Sequence, residues 1–347
     1  MKTGDTAMFH FRNDYSTGAH PAVWEALCRT NGERTEGYGL DPLCRQAEEE
    51  ILSLCHAPGA AVHFLVGGTQ ANKVAIGAFL RPYEAVLAAA SAHICCHETG
   101  AVEHNGHKVI HLPTPDGKLT GDMVRAAAAA HTGEYTVAPR LVYISNTTEV
   151  GTVYRRAELA ELRRACDALD LLLYCDGARL GSAMAAGDAS FADYGALCDA
   201  FTVGGTKNGL LFGEALVLVN PALQPSFRRS MKQQGAILAK GRLLGVQFSA
   251  ILQDGLYLSL AAQANRLARR LAEGLEDLGV PLLFPAQSNQ LFPVLPDSVV
   301  EALEGEVSFE LQERLDGSRS CIRLVTAWDT AQEEVDGLLA LLGRLLQ

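Results

Sequence analysis

The sequence predicts an α/β fold built around a mainly parallel sheet. Short apolar runs without polar alternation recur along the chain, at residues 141–144, 171–175, 200–203 and 215–219, and each run ends in a turn. Strands that are buried on both faces have this uniform composition, which is typical of a parallel sheet covered by helices. A helical pattern at 155–169 separates the first two runs, as a crossover between parallel strands requires.

A further strand–turn–helix unit precedes these runs. Residues 62–66 are largely apolar, Gly67, Gly68 and Thr69 form a turn, and an Ala-rich helical pattern continues to about residue 80. In open α/β sheets, ligands bind beyond the carboxyl ends of the strands. The polar residues at those ends are therefore the candidates for a functional site.

The pattern changes after residue 240. Residues 241–271 are helical without a strand signal of comparable strength, and a Pro-rich passage with two short strands follows. Residues 321–326 predict one more strand, and Thr330 with Glu333 predicts a capping box before a final helix that ends at Leu346. A chain of 347 residues is long enough for about two domains. We predict a large domain at residues 1–240 and a smaller α+β domain at residues 241–347.

The composition is that of an acidic globular protein. The chain has 29 Lys and Arg against 40 Asp and Glu, a formal net charge of −11, and 48% of its residues are apolar. An acidic balance disfavours nucleic acids and anionic membranes as partners, because phosphate groups are bound by clustered Lys and Arg. We expect neither partner.

The sequence also bears on the compartment. The uncharged stretch 51–72 is interrupted by Pro58 and by Gly67, so we predict no membrane span. No apolar core follows residues 1–5, which predicts that a secretory signal is absent. The nine cysteines are odd in number and scattered, which is typical of reduced thiols. We therefore expect a cytoplasmic protein.

Charged residues follow two of the predicted strands. Asp176 and Arg179 share the turn after the run at 171–175, and Lys207 follows the run at 200–203. A lysine at the dry end of a sheet can have a lowered pKa, which frees its amine to attack a carbonyl carbon. The same residues could instead form a structural ion pair, and this alternative stays open.

The turn at residues 67–70 has the features of a phosphate site. It offers backbone N–H groups, the Thr69 hydroxyl and the positive end of a helix dipole, although an ordinary glycine turn has the same composition. Residues 204–209 do not match G-x-G-x-x-G, and no G-x-x-x-x-G-K-[ST] occurs in the chain. Two common nucleotide-binding motifs are thereby excluded.

Five of the ten histidines lie within residues 93–111. His93 and His97 are spaced i, i+4, and could ligate a metal from one helix face. The Glu of H-E-x-x-H is missing, however, and the adjacent Cys95 and Cys96 cannot both point at one site in a helix. We predict no metal here and favour a histidine that stacks on a ligand or acidifies it.

Together, the phosphate-type turn, Asp176 and Lys207 suggest pyridoxal phosphate as a cofactor. Lys207 would form the Schiff base, Asp176 would keep the pyridine nitrogen protonated, and the helix N-terminus would bind the phosphate. A protonated ring withdraws electrons from the substrate's α-carbon, and it loses much of that ability without the paired carboxylate.

At this point the sequence resembles a known family over essentially its whole length. It is similar to the threonine aldolase / β-eliminating lyase family of pyridoxal-phosphate enzymes, which have the aspartate-aminotransferase-type fold. The matching elements are Arg12-Asn13-Asp14, Tyr38-Gly39-Leu40-Asp41-Pro42, Gly68-Thr69-Gln70-Ala71-Asn72, Ala92-His93, Asn146-Thr147, Asp176-Gly177-Ala178-Arg179, Thr206-Lys207, Gly235 with Lys240, and Arg323-Leu324-Val325-Thr326. The resemblance implies a mainly parallel seven-stranded sheet flanked by helices, a small C-terminal domain, and a homodimer or homotetramer with shared active sites.

The resemblance also implies a role for individual residues at the cofactor. Lys207 would hold it covalently with Thr206 alongside, Asp176 would face the pyridine nitrogen, and His93 would stack on the ring. The phosphate would be bound by Gly68 and Thr69, with Lys232 or Lys240 reaching it from a neighbouring subunit. Arg179, which would contact both cofactor and substrate, would grip the substrate carboxylate together with Arg323 and with Asn13, at a position usually held by Ser.

One departure from the family concerns the β-hydroxyl of the substrate. Aldolases of the family commonly read Glu-Asn-Thr-His-Asn-Gly where this chain reads Ser145-Asn146-Thr147-Thr148-Glu149-Val150-Gly151. The second active-site histidine is therefore replaced by Thr148, with Glu149 beside it. The catalytic base would be His93 acting through water, or Glu149, and the sequence leaves both open.

We predict an amino-acid lyase that carries out retro-aldol cleavage. Its substrates would be β-hydroxy-α-amino acids such as L-threonine and L-allo-threonine, and its products glycine and an aldehyde. A β-elimination that releases ammonia and a keto acid is the alternative with the same cofactor. A metal hydrolase built on the histidine cluster and a non-catalytic binding module are the alternatives from other classes.

Overall fold

A computed structural model of the chain describes residues 9–347. Residues 1–5, from which we predict that a secretory signal is absent, lie outside that range. The strands are β1 (Phe9–His10), β2 (Ala61–Leu65), β3 (Glu84–Ala89), β4 (Lys108–Leu112), β5 (Ala138–Ser145), β6 (Leu172–Asp176), β7 (Ala200–Gly204), β8 (Glu214–Leu218), β9 (Gln290–Leu291), β10 (Val294–Pro296), β11 (Val307–Ser308), β12 (Glu310–Arg314) and β13 (Arg319–Val325).

Fourteen α-helices connect or cover these strands in the described part of the chain. They are α1 (Pro21–Thr30), α2 (Pro42–Leu54), α3 (Gly68–Phe79), α4 (His93–Cys96), α5 (Ala101–His104), α6 (Gly121–Ala129), α7 (Arg156–Ala168), α8 (Leu180–Ala186), α9 (Phe191–Leu197), α10 (Phe227–Gln233), α11 (Arg242–Leu252), α12 (Leu256–Asp277), α13 (Asp297–Leu303) and α14 (Gln332–Leu345). Two short 3₁₀ helices lie at Pro221–Leu223 and Gln253–Gly255.

A seven-stranded sheet forms the centre of the molecule, in the order β2-β8-β7-β6-β5-β3-β4. All of its strands run parallel except β8, which pairs antiparallel with both β2 and β7. Every residue of β6, β7 and β8 is buried, as the unalternating apolar runs predict. The mixed α/β class and the mainly parallel seven-stranded sheet are thus confirmed.

The sequence patterns located most but not all of this sheet. The five predicted runs correspond to β2, β5, β6, β7 and β8, each within three residues of the observed bounds. The patterns did not single out β3 and β4, although β3 is almost entirely buried. Half of the residues of β3 are Ala, which does not distinguish a strand from a helix, and β4 overlaps the histidine-rich stretch.

A second hydrophobic cluster lies in the C-terminal part of the chain. It joins the antiparallel strands β9, β10 and β13 to α13, α14 and the second half of α12, while the exposed strand β12 pairs with β13 at the edge. The N-terminal segment packs with this unit, because Phe9 pairs with Val307 and Phe11 lies in the same cluster. The division at 240/241 stays a proposal.

The long helical stretch after residue 240 is interrupted. Asp254 (φ 52°) and Gly255 (φ 72°) adopt the left-handed conformation between α11 and α12, where the pattern predicts one helix over 241–271. The stretch Arg242–Asp277 is long and apolar enough, by length and composition alone, to cross a membrane. Phe248 of α11 and Leu267 of α12 are instead fully buried in the two hydrophobic clusters. The apolar faces therefore serve the protein core.

The cap of the final helix is shifted by one residue from its predicted position. The N-cap is Ala331, whose N–H donates to the carboxylate of Glu334 over 2.9 Å. Thr330 faces the other way, and its hydroxyl accepts the N–H of Ala327 at 2.8 Å. The predicted pairing of Thr330 with Glu333 is therefore wrong, although the helix itself is present. Two adjacent acidic residues satisfy the capping-box spacing equally well from sequence.

Candidate active site

Three turns meet at the carboxyl ends of neighbouring strands. Ser145 at the end of β5 is in register with Asp176 at the end of β6, and the N–H of Asn146 donates to the Asp176 carbonyl at 3.0 Å. The Gly204 N–H at the end of β7 donates to the Gly177 carbonyl, also at 3.0 Å. The turns that carry Glu149, Asp176 and Lys207 are therefore neighbours, as expected for a ligand site of this fold.

Asp176 is buried and accepts hydrogen bonds on both carboxylate oxygens. Its Oδ2 accepts the Tyr143 hydroxyl at 2.6 Å and the Asn72 amide at 2.8 Å, and its Oδ1 accepts the Ala178 N–H at 3.0 Å. The Asn72 amide is itself oriented by the Tyr174 hydroxyl, which donates to its Oδ1 at 2.9 Å. These bonds hold the Asp176 carboxylate in one orientation at the end of β6.

The same asparagine connects Asp176 to a histidine. Asn72 also donates to Glu98 Oε1 at 2.8 Å, and this oxygen lies 2.8 Å from Nδ1 of His93. Burial opposes a charge on His93, but the hydrogen bond to Glu98 and the negative charges of Glu149 and Asp176 raise the pKa of its imidazole. The side chain of His93 is about 29% exposed, whereas that of Glu98 is fully buried, so Glu98 holds the Nδ1 edge of the imidazole while the ring stays partly exposed.

Lys207 extends from the turn after β7 into the same region. Burial and the positive charge of Arg179 lower the pKa of its amine, while the carboxylates of Asp14, Glu149 and Asp176 act in the opposite direction. Burial of an ammonium group favours its neutral form, which is the nucleophile. A partly buried lysine whose amine has a lowered pKa is what we expect of a lysine that reacts with a carbonyl.

Arg179 is bound to a carboxylate that the sequence patterns did not assign. Its Nε and Nη2 donate to the two oxygens of Asp14 at 2.7 and 3.0 Å, and Asn289 donates to Asp14 at 3.0 Å. Both charged groups are buried. Burial opposes the charge on Asp14, but Arg179 and Lys207 lower the pKa of that carboxyl. Two of the three guanidinium nitrogens of Arg179, Nε and Nη2, are therefore paired with Asp14. Its Nη1 is the nitrogen that can bind another anion.

Arg323 and Asn13 make hydrogen bonds to groups of the protein itself. The Nη2 of Arg323 donates to Glu310 on the neighbouring strand and to the Arg12 carbonyl. Its Nε is buried and has no hydrogen-bond partner in the described residues. Asn13 Oδ1 accepts the Tyr15 N–H and the Ser16 hydroxyl, so it closes a local turn. Asn13 directly precedes Asp14, and Arg323 on β13 contacts the nearby Arg12 carbonyl. The predicted roles of both residues in binding the substrate carboxylate stay predictions.

The loop after β5 distinguishes Thr148 from Glu149. The Thr148 hydroxyl lies 2.7 Å from that of Thr152, which donates to the Asp116 carbonyl, and Thr148 is buried. Glu149 is partly exposed, and its charge contributes to the pKa values of His93, Arg179 and Lys207. Of the two, Glu149 is therefore the residue that can act in the cleft.

The N-terminus of α3 has the features expected of an anion site. Its N-cap, Gly67, is extended and offers no side chain to the first helical N–H groups. A Cβ atom at Gly67 or Gly68 would find no atom within 4 Å, so the space in front of the helix is open. The preceding strand β2 ends at Leu65, which is in register with Glu214 next to the lysine turn. A phosphate bound there would be close to Lys207.

Sequence reasoning missed the residues that hold this site together. Asn72, Tyr143, Glu98, Asp14 and Asn289 were assigned no role, although all are buried around the predicted charged groups. Asn72 and Asp14 belong to motifs that carry the family resemblance, and Glu98 follows His93 by five residues. Tyr143 and Asn289 carry no local signal, because only the fold brings them to Asp176 and Asp14.

A family model described as beta-eliminating lyase matches residues 10–297. The chain belongs to the beta-eliminating lyase family. It is 34% identical to the low specificity L-threonine aldolase of Pseudomonas aeruginosa over 330 residues, which cover 94% of each chain. The solved structure of a threonine aldolase from Leishmania major is 43% identical, covers 98% of this chain and all of that one, and superposes with a TM-score of 0.96.

A more distant likeness concerns the fold alone. A serine palmitoyltransferase (SPT) solved with pyridoxal phosphate as its internal aldimine is 13% identical and superposes with a TM-score of 0.73. The match covers 97% of this chain and 86% of that one. The chain is thus a lyase with the fold of pyridoxal-phosphate enzymes, and the family implies that cofactor.

The residues of this lyase fit pyridoxal phosphate by their chemistry. An amine with a lowered pKa suits an aldehyde, a carboxylate fixed by three donors suits a pyridinium nitrogen, and an uncapped helix N-terminus suits a phosphate. The hydroxyls of Ser145 and Thr147 are buried at the carboxyl end of β5. They have no hydrogen-bond partner in the described residues, so they are further donors for a ligand.

The structure separates the histidines of the 93–111 stretch. His93 lies on α4, with its ring centroid 5.5 Å from that of His97, while His104 lies on α5 and His111 on β4. Within residues 9–347, no group of three or more His, Cys, Asp or Glu side chains could hold a metal ion. The alternative of a metal hydrolase built on this stretch therefore has no ligand cluster to support it.

Proposed function

We propose that this lyase cleaves β-hydroxy-α-amino acids of the L-threonine type into glycine and an aldehyde, with pyridoxal phosphate as cofactor. The observation that carries the proposal is that Lys207 lines a small cavity together with the buried Asp14–Arg179 pair, while the charge of the buried Asp176 acts on the Lys207 amine. The relatives that match most of this chain are named threonine aldolases, which supports the same reaction.

Five groups would hold the cofactor in this proposal. Lys207 would bind its aldehyde carbon, Asp176 would accept the N–H of its pyridine ring, and His93 would lie on the ring face. The backbone N–H groups of Gly68 and Thr69 would bind its phosphate. Once bound, the ring supplies an acceptor for the electron pair that is released when the Cα–Cβ bond of the substrate breaks.

The proposed role of Thr206 is indirect. Its hydroxyl accepts the N–H of Gly213 at 3.0 Å, and its own N–H donates to the Gly213 carbonyl at 3.2 Å. These bonds close the loop that carries Lys207, so Thr206 would keep the lysine turn in place next to the cofactor. The hydroxyl can also turn to a ligand, because a hydroxyl both accepts and donates.

The substrate carboxylate would be bound by arginine side chains. Arg179 would use its Nη1 end while Asp14 keeps the rest of the fork in position, and Arg323 would exchange Glu310 for the substrate. The partnerless Nε of Arg323 supports this exchange, since a buried donor without an acceptor is unfavourable. Asn13 would contribute its amide N–H₂ group from the neighbouring turn.

Glu149 suits the role of base for the β-hydroxyl better than His93 does. The Nδ1 of His93 is engaged by Glu98 at 2.8 Å, so only its Nε2 remains to act on a substrate. Glu149 is partly exposed and close enough to affect the charges of Lys207 and Arg179. It would take the hydroxyl proton as the Cα–Cβ bond breaks, in place of the histidine that Thr148 replaces.

We infer that the enzyme works as a homo-oligomer with shared sites. Lys232 and Lys240 are exposed in the single chain, with the Lys232 ammonium 5.1 Å from the ring centroid of the half-exposed Tyr38. A neighbouring subunit would bring one of these lysines to the phosphate. All nine cysteines are free thiols, which supports the prediction of a reducing, cytoplasmic location.

The test is an assay of the purified enzyme, loaded with pyridoxal phosphate, on L-threonine, L-allo-threonine and phenylserine. We expect glycine and the matching aldehyde in equal amounts, and no turnover by a Lys207→Ala variant. Glu149→Gln should lose on the order of 10²-fold or more in kcat, as removal of a general base does, with the cofactor still bound. Ammonia and a keto acid without aldehyde would select β-elimination instead, and no product from any substrate would overturn the proposal.

A further inference from the structure

Three consecutive polar residues are buried in the C-terminal unit formed by the second hydrophobic cluster. Ser288, Asn289 and Gln290 are 4%, 3% and 1% exposed. Gln290 begins β9 and pairs with Val325 of β13, so the backbone of this segment belongs to the C-terminal unit. Buried polar side chains are normally hydrogen-bonded, and the partners of these three lie outside their own sheet or beside it.

Two of the three side chains hold the backbone of the loop that carries Glu149. The Nε2 of Gln290 donates to the Thr148 carbonyl at 3.2 Å, and the Ser288 hydroxyl donates to the Gly151 carbonyl at 2.8 Å. Gly151 (φ 80°) lies so close that a Cβ atom on it would come within 2.9 Å of the Gln290 carbonyl. The backbone of the loop is therefore packed directly against the C-terminal unit.

The loop is a tight turn over residues 148–151, called the Glu149 turn below. Its first carbonyl accepts the Gly151 N–H at 3.0 Å, as in a hydrogen-bonded β-turn. Glu149 is the second residue of the turn, and its side chain is partly exposed. Just after the turn, the Val153 N–H donates to Oε1 of Gln287 at 2.8 Å. Contacts with the C-terminal unit on both sides of Glu149 thus determine where its side chain begins.

Asn289, between the other two, contacts the proposed carboxylate site. Its Nδ2 donates to Asp14 Oδ2 at 3.0 Å, and Asp14 accepts the Nε and Nη2 of Arg179. Asn289 also donates to the Thr326 carbonyl at 2.9 Å, which ties it to the end of β13. Neighbouring residues of one segment therefore contact both the Glu149 turn and the Asp14–Arg179 pair.

The amide group of Gln290 is not needed for packing. Its Oε1 is buried and has no hydrogen-bond partner among the residues that the structure describes. A buried oxygen without a donor is unfavourable, and an apolar side chain of similar length would avoid that cost. What the amide supplies, and an apolar side chain would not, is the N–H bond to the Thr148 carbonyl.

We propose that Gln290 is a positioning residue for the cleavage step. It holds the Glu149 turn at a fixed distance from the Asp14–Arg179 pair, and so places the Glu149 carboxylate at the β-hydroxyl of a substrate whose carboxylate is bound by Arg179. Gln290 acts through the backbone of the turn and not on the substrate. The proposal rests on the proposed function in taking Glu149 as the base.

The test compares two reactions of the enzyme loaded with pyridoxal phosphate. Cleavage of L-threonine or phenylserine needs a base at the β-hydroxyl. Exchange of the glycine α-proton with deuterium does not, because glycine has no β-hydroxyl. Gln290→Met keeps the length of the side chain and removes its N–H group. We expect this variant to lose on the order of tenfold in kcat for cleavage, since a small displacement of a catalytic group is costly.

The same variant should leave the glycine reactions unchanged. Glycine binding, followed by the absorbance of the cofactor, and α-proton exchange, followed by NMR in deuterium oxide, should match the unchanged enzyme. Full cleavage activity in Gln290→Met would overturn the proposal. Equal losses in cleavage and in glycine exchange would mean a general structural effect, and would overturn it too.

Three further variants complete the test. Ser288→Ala removes the bond to the Gly151 carbonyl by a smaller change, and should show the same selective loss of cleavage even if Gln290→Met fails to fold. Asn289→Ala should instead weaken glycine binding. Asn220→Ala is the matched control, because it removes an amide that donates to Asp199 at the opposite end of the sheet. It should change neither reaction, and a selective loss of cleavage there would contradict the proposal.

Hydrogen exchange of the Glu149 turn gives a measurement that does not depend on activity. Mass spectrometry of peptides that cover residues 148–153 should show faster exchange in Gln290→Met than in the unchanged protein or in Asn220→Ala. Equal exchange would overturn the proposal. Faster exchange in a protein that releases no glycine from any substrate would contradict the proposed function, while the positioning of the turn by Gln290 would hold.

Discussion

At the scale of single residues, the buried pair of Asp14 and Arg179 dominates the stability of the site. The two groups form two hydrogen bonds of 2.7 and 3.0 Å, and both are shielded from water. Removing one partner leaves the other charge buried without compensation, which is far more costly than losing a surface pair. Asp14 therefore keeps the buried Arg179 charged and in position to bind an anion, although the chain as a whole is acidic.

We predict that Asp14→Ala lowers the free energy of unfolding by about 3–5 kcal/mol. Urea denaturation followed by circular dichroism would measure the change, with Asp122→Ala as the control. Asp122 pairs with Arg125 on the exposed face of α6, and its removal should have a much smaller effect. Equal losses in the two variants would contradict the account of the buried pair.

A second prediction concerns the pH dependence of His93. Its pKa is raised above 6.5, because the hydrogen bond to Glu98 and two further carboxylates outweigh burial. The stabilisation from this contact is therefore complete below pH 6.5 and is lost as the pH rises through the raised value. In Glu98→Gln the His93 pKa should fall, as measured by NMR titration of the imidazole, whereas Glu103→Gln on α5 should leave it in place. An unchanged His93 pKa in Glu98→Gln would contradict this.

The residue scale also shows where sequence reasoning stopped. Asp176, Lys207 and the Gly68-Thr69 turn could be predicted, because each follows a recognisable strand. Their partners could not, since Tyr143 reaches Asp176 only through the pairing of β5 with β6, and Asn289 reaches Asp14 across 275 residues of chain. The charge on a residue is visible in a sequence, while the group that neutralises it depends on the fold.

At the scale of elements, the break between α11 and α12 is where the helical pattern was misleading. Apolar residues continue at helical spacing through the joint, so the pattern predicts one helix. The break depends on Asp254 and Gly255, two residues that adopt the left-handed conformation more readily than most. It lets α11 pack into the first hydrophobic cluster and α12 continue into the second.

Gly255→Ala tests the joint. The backbone there has φ 72°, and a Cβ atom would meet no neighbour within 4 Å, so the cost would come from the backbone alone. We expect a loss of about 1–2 kcal/mol in the free energy of unfolding. Gly59→Ala, also in open space but outside the left-handed region, should be neutral or slightly stabilising. If Gly255→Ala left the free energy of unfolding unchanged, the chain could continue through this position as one unbroken helix.

At the scale of the whole molecule, the sequence patterns predicted most of the central sheet. Uniform apolar runs identified five strands of the seven-stranded sheet, because burial on both faces leaves a strong signature. The N-terminal strand and Phe11 pack against the C-terminal unit, which no local pattern indicates. The packing of this segment depends on contacts between residues that are far apart in the chain.

The proposed sharing of sites between subunits gives a prediction for mixed oligomers. Lys207→Ala and the double variant Lys232→Ala/Lys240→Ala should each be inactive or severely impaired alone. After unfolding and refolding together, mixed dimers should contain one complete site, and the mixture should regain about a quarter of the unchanged activity. Activity that stays at the level of the separate variants, with mixed dimers present by mass spectrometry, would rule out shared sites.

The central claim is that Lys207 is the amine that binds the cofactor. Incubation of the protein with pyridoxal phosphate, reduction with borohydride and peptide mapping test it most directly. The account predicts a yellow protein that loses its colour on reduction, with a phosphopyridoxyl adduct on Lys207 and none in Lys207→Ala. An adduct on another lysine, or a colourless protein without an adduct, would contradict it.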